Sequence, residues 1–230
     1  MGNAAYTEKY KKRFEECSQL FNSAYRKGNG VQSLSNGYTI QVIEYGGKVG
    51  KWNLWGSECR LEDSSGKLVL EWRSIDNVGD FYSSIKHSNG KVYLIFRQDL
   101  YGYSVFDFDT SELMQFFPES SLGGEETFIW TSINYNPATN VLAVSGCYWA
   151  APYSIQLFTF ENPMSEQQKY IDLRECFGCN YSFFRDIDFE KWENGDLHIK
   201  RKANETETIE SMTIKQDEYL SWLNDKGRLL

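Results

Sequence analysis

Histidine is almost missing from this chain of 230 residues, with only His87 and His198 present. The five cysteines, Cys17, Cys59, Cys147, Cys176 and Cys179, are odd in number and widely spaced, so a disulfide framework is not expected and the thiols are read as reduced. Cations are outnumbered, with 24 Lys and Arg against 32 Asp and Glu and a formal net charge of −8. Nucleic-acid binding draws on clustered cations that displace condensed counterions, so a nucleic-acid partner is not expected. No window approaches the roughly 18 apolar residues of a membrane span. The N-terminal stretch is charged and helical where a secretory leader would carry an apolar core, which places the chain by default in the cytoplasm. Neither a Ser-His-Asp set nor a Gly-x-Ser-x-Gly elbow is visible. Gly28-Asn29-Gly30 and Gly46-Gly47 lack the Lys or following helix that would make them phosphate cradles.

Aromatic residues are plentiful: 7 Trp, 15 Tyr and 15 Phe. Such a composition can bury enough apolar surface to outweigh ordering entropy, and the length suits one domain. From Thr7 to Lys27 the apolar positions Tyr10, Phe14, Cys17, Phe21 and Ala24 recur at intervals of three and four, which predicts an amphipathic helix capped by Thr7 and Gly28. Residues 1–30 are therefore read as an N-terminal helical segment and 31–230 as a single β-repeat domain.

After Gly30 the texture is short runs rich in Val, Ile, Tyr, Phe and Trp between Gly and Asn turns, which is the pattern of strands. The turns Asn36-Gly37, Asn89-Gly90, Thr139-Asn140 and Asn194-Gly195 recur at intervals of roughly 50 residues, the spacing of propeller blades. Four units follow, each expected to hold four strands, with the first and fourth each lacking one obvious strand. That shortfall predicts closure, the fourth unit pairing with sequence before Asn36. A closing helix is expected over 216–225.

The run Ile133-Asn134-Tyr135-Asn136-Pro137-Ala138-Thr139-Asn140-Val141-Leu142-Ala143-Val144-Ser145-Gly146, followed by Ile155-Gln156-Leu157-Phe158-Thr159-Phe160, resembles a WD40-like blade. Val105 to Leu113 resembles that family's turn between third and fourth strands. The resemblance covers residues 81–173 and implies an all-β, propeller-like array. The Gly-His and Trp-Asp signatures are missing, and a β-sandwich of repeated meanders would give the same periodicity.

Cys176-Phe177-Gly178-Cys179 has the spacing of half a zinc site but no second half, and no metal or other cofactor is expected. Asp186, Asp188 and Glu190 alternate along one strand and are read first as a solvated face. Asp107 and Asp109 flank a turn and are expected to bond nearby amides. In an antiparallel unit the loop between second and third strands lies opposite the Asn-Gly turns. Those loops carry Trp52 and Trp55, then Tyr101 and Tyr103, then Tyr148, Trp149 and Tyr153. Trp and Tyr dominate binding hot spots, so the expectation is a non-enzymatic protein- or peptide-binding module. The alternative is a hydrolase of a carbohydrate or similar polar substrate that uses Asp186 and Asp188.

Overall fold

The computed structural model describes residues 2–75, 81–148, 153–177, 184–203 and 208–229. Among them lie four antiparallel sheets in chain order, none closed on itself, so the protein is all-β. The chain divides into two compact units, Asn3–Lys86 with Lys91–Phe117, and Pro118–Leu230 with the His87–Gly90 turn and the Met1–Gly2 end.

In the first unit, helix α1 (Glu8–Cys17) begins where the Thr7 hydroxyl accepts the Tyr10 amide at 3.3 Å. Its inner stripe is as expected, with Tyr10 buried and its ring 4.4 Å from that of Phe117. The helix nevertheless stops at Cys17, ten residues short of Lys27. Two single turns follow, Ser18–Leu20 and Ser23–Tyr25, the second capped by the Asn22 side chain accepting the Ala24 amide. Asn and Ser compete with helix in this way because their side chains bond nearby backbone.

Residues Arg26–Ser33 then form strand β1, which pairs antiparallel with β2 (Thr39–Val49) from Arg26↔Tyr45 to Ser33↔Thr39. Gly28 thus sits inside a strand, beside a register shift, and caps no helix. The pairing also overturns the expected closure, because the segment before Asn36 completes the first sheet and leaves the fourth without it.

That first sheet continues through β3 (Trp52–Glu62) and β4 (Leu68–Ile75) in the order β1-β2-β3-β4. The second is the meander β5 (Tyr82–Lys86), β6 (Val92–Phe96), β7 (Tyr103–Asp107) and β8 (Leu113–Phe116). Ile40 and Val42 of β2, Cys59 and Leu61 of β3, and Trp72 of β4 alternate onto one face. They pack against Leu94, Phe96 and Phe106 of the second sheet, with the Trp72 and Phe96 rings 4.4 Å apart. The free edge of β8 is covered by residues 3–6. Asn3 donates to the Gln115 carbonyl at 2.8 Å, the Phe117 amide donates back to Asn3, and the Gln115 amide donates to the Tyr6 hydroxyl at 2.9 Å.

In the second unit a short helix α2 (Glu119–Leu122) precedes the meander β9 (Ile129–Asn136), β10 (Val141–Cys147), β11 (Ser154–Thr159) and β12 (Lys169–Asp172). Helix α3 (Leu173–Cys176) leads to the three-stranded meander β13 (Phe184–Glu193), β14 (Asp196–Ala203) and β15 (Ile209–Ile214). Helix α4 (Gln216–Lys226) matches the expected closing helix, and its Tyr219 and Leu223 fill the core between the two sheets. The last strand, β16 (Arg228–Leu229), joins the edge of β12 and so widens the third sheet, not the fourth. The repeated turns are alike in backbone: Gly37, Gly90 and Gly195 lie at φ 85°, 89° and 88°, and Asn140 at 52°, the left-handed region that Asn tolerates best after Gly.

Candidate interaction surface

The two tryptophans of the first loop stand at the end of a hairpin that outruns its sheet. Among the described residues β1 pairs no further than Tyr45 and β4 no further than Gly56, and there Gly46↔Trp55, Gly47↔Leu54, Lys48↔Asn53 and Val49↔Trp52 pair only with each other. At about 3.4 Å per residue these four pairs add about 14 Å of two-stranded ribbon beyond Tyr45. A free ribbon of that length is marginal by itself.

Its support comes from the segment after α1. Leu20 and the partly buried Phe21 and Tyr25 pack with Tyr45, Val49 and Leu54 on one face. The Tyr25 hydroxyl donates to the Lys48 carbonyl at 3.1 Å, and its ring lies so close to Gly47 that a Cβ there would stand 2.5 Å away. On the other face the Trp55 ring lies on Gly46 with the same closeness. The adjacent glycines are therefore the seats of two aromatic rings, one on each face.

Trp52 is 63% exposed and Trp55 53% exposed. Strand alternation places them on opposite faces, Trp52 with Val49 and Leu54, Trp55 with Gly46 and the core-facing Ser57 and Cys59. The Lys51 ammonium sits 5.1 Å from the centre of the Trp52 ring.

The other expected contact residues divide by burial. Tyr103 is 3% exposed and packs on Phe116 with centroids 5.8 Å apart, so its ring belongs to the core. Tyr101 lines a recess with Tyr103, Tyr10, Asp99 and Phe117. The positions open to a water's centre fill only about 10 Å³, room for one water and not for a sugar ring. Burial, and next the Asp99 carboxylate, push the Tyr10 hydroxyl far above its usual range against the opposing Arg13, so it stays protonated. In the second unit Tyr148 is half-buried, accepts from the Gln156 amide at 3.1 Å and packs edge-on to Phe128. Tyr153 is 44% exposed, but its backbone is fixed: its amide donates to Asp186 and its carbonyl accepts from Ile187 and Arg174. Trp149 lies outside the described residues.

Two of the three alternating acidic residues of β13 are occupied structurally. Asp186 holds the Tyr153 amide, Glu190 pairs with Lys200 at 3.2 Å, and Asp188 is exposed. Partial burial, then the Asp186 charge, raise the Asp188 carboxyl, with Lys200 opposing. Asp107 follows the expected turn role, accepting from the Asp109 and Thr110 amides and from Lys91 at 2.7 Å. Burial would raise its carboxyl, but those donors outweigh it and hold it below the usual range. Asp172 caps α3 through the Arg174 amide and accepts from Ser154; burial raises it.

Cys176 packs against the core, and burial pushes its thiol up to about 11. Cys179 lies outside the described residues. No group of three or more candidate metal ligands occurs among the described residues. His87 lies just beyond β5, stacked on Tyr135, with Nε2 2.8 Å from the Phe160 carbonyl. His198 is on β14, with Nδ1 3.0 Å from Thr213 Oγ1.

No known family profile matches this chain. It is similar to an uncharacterized protein of Acanthamoeba polyphaga mimivirus, 22% identical over 202 residues that span 83% of this chain and 78% of the viral one.

Proposed function

We propose that this protein is a non-enzymatic binding module that docks on a partner surface through the projecting β2–β3 hairpin. The observation that carries the reading is the pair of exposed tryptophans, Trp52 and Trp55, held on a ribbon that other residues brace. Leaving more than half of each indole in water forgoes on the order of 1 kcal/mol of burial each, which docking on a partner would recover. The brace adds preorganisation, since Tyr25 and Gly47 fix the ribbon before any partner arrives. The four successive meanders, with turns recurring about every 50 residues, are taken as blades of a WD40-like, propeller-like array. Their sequential antiparallel order supports that assignment.

A protein or peptide is the partner the aromatic loops first suggest. The test is to compare wild type with Trp52→Ser/Trp55→Ser, both bearing a terminal tag, for association with the fractions of a eukaryotic lysate. The double variant should keep its melting temperature within about 2 °C, because neither indole is in the core, and should lose association. Retained association, or a variant that melts far lower, contradicts the reading.

A further inference from the structure

Charge is segregated along this chain in a way the net value conceals. Of its 32 acidic residues, only Glu44 falls between Cys17 and Ser57. The same stretch contains Arg26, Lys27, Lys48 and Lys51, all exposed, none in an ion pair among the described residues. Arg26 pairs in register with Tyr45 at the base of the ribbon, Lys48 pairs with Asn53 near its end, and Lys51 lies in the turn that closes it. From Tyr45 to Ser57 the hairpin has two cations and no carboxylate.

The two indoles narrow the partner further. Because they lie on opposite faces of the ribbon, a flat protein surface would meet one and leave the other in water. In a bilayer headgroup region, mobile headgroups can instead surround the ribbon's tip and reach both Trp52, beside the braced Val49, and Trp55 on the opposite face. That region is also where Trp is favoured, its apolar ring among acyl chains and its N–H among headgroups. Lysine beside it can extend its ammonium toward lipid phosphates while its methylenes stay in contact with the ring.

We propose that the β2–β3 hairpin docks this protein on an anionic bilayer surface. The tip enters with Trp52 and Trp55 at headgroup depth, where Lys48 and Lys51 meet acidic lipid, while Arg26 and Lys27 add positive charge at the ribbon's base. The inference rests on the hairpin being the docking element, and it names what that element docks on. Each cation near an anionic leaflet strengthens binding by about five-fold, so Lys48 and Lys51 beside the indoles make binding reversible and dependent on salt.

The test uses the full-length chain and vesicles of phosphatidylcholine alone or with 30% phosphatidylserine (about the charge that sets a cytoplasmic-type surface potential). Binding is read by sedimentation and by tryptophan emission. Expected are binding to the mixed vesicles, little to neutral ones, a blue shift on binding, and a marked loss on raising salt from about 0.1 to 0.5 M. Lys48→Glu/Lys51→Glu should weaken binding by at least roughly 30-fold, and Trp52→Ser/Trp55→Ser should abolish the blue shift. Absence of binding to the mixed vesicles, or binding undiminished in both variants, overturns the bilayer assignment. If vesicles are not bound but lysate association still requires Trp52 and Trp55, the partner is a protein and the docking element stands. If neither binding depends on them, both readings fall.

Discussion

Residues of the same type have opposite roles here, and burial separates them. Trp72 is 4% exposed between two sheets, whereas Trp52 and Trp55 are largely in water. Trp72→Ala is therefore expected to cost about 3–5 kcal/mol, against less than about 1 kcal/mol for Trp52→Ser or Trp55→Ser, as measured by denaturant midpoints with unchanged slope. Asp107 gives a pH-dependent counterpart. Its folded carboxyl is held below the unfolded value, so its stabilisation is present above that value and fades as pH falls through the folded one. Asp107→Asn should cost about 2 kcal/mol at pH 7. The gap from wild type should narrow below about pH 4, which melting curves across pH would follow. At this scale the turn role of Asp107 was legible from its spacing in sequence, because the bonds are local. The burial of Tyr103 was not, because it depends on what the other side of the sheet meets.

Elements in the middle of the chain were read closely from sequence. Strands follow directly on the expected turns Asn89-Gly90 and Thr139-Asn140, at Val92–Phe96 and Val141–Cys147, and α4 extends the expected closing helix by one residue. Those segments have strong periodicity and explicit turns. Arg26–Ser33 has neither, being Gly-rich and mostly polar, and it becomes a strand only because β2 offers a partner. The helical spacing up to Ala24 was real as a pattern but was overridden by Asn22 and by that pairing. The ribbon was half legible: Trp52 and Trp55 could be singled out, but Gly46-Gly47 was read only as a failed phosphate loop, although adjacent glycines opposite a Trp in an alternating run signal a close ring contact. Truncation to Leu34 should remove both β1 and the brace, exposing the β2 edge, with aggregation in light scattering as the expected result. Gly47→Val is gentler. It displaces the Tyr25 ring, and should leave the core melting transition nearly intact while speeding amide exchange at residues 46–55.

At the scale of the whole molecule, the proposed recognition role rests on one braced ribbon that departs in both charge and exposure from the rest of an acidic chain. The most direct measurement is oxidative footprinting of tryptophan by mass spectrometry, on the isolated protein and on the protein bound in a lysate. In the isolated protein Trp52 and Trp55 should oxidise faster than the buried Trp72 and Trp130, and in the bound protein Trp52 and Trp55 should both be protected. Equal oxidation of the two indoles in free and bound protein, with protection falling on Tyr153 instead, would contradict docking through the hairpin.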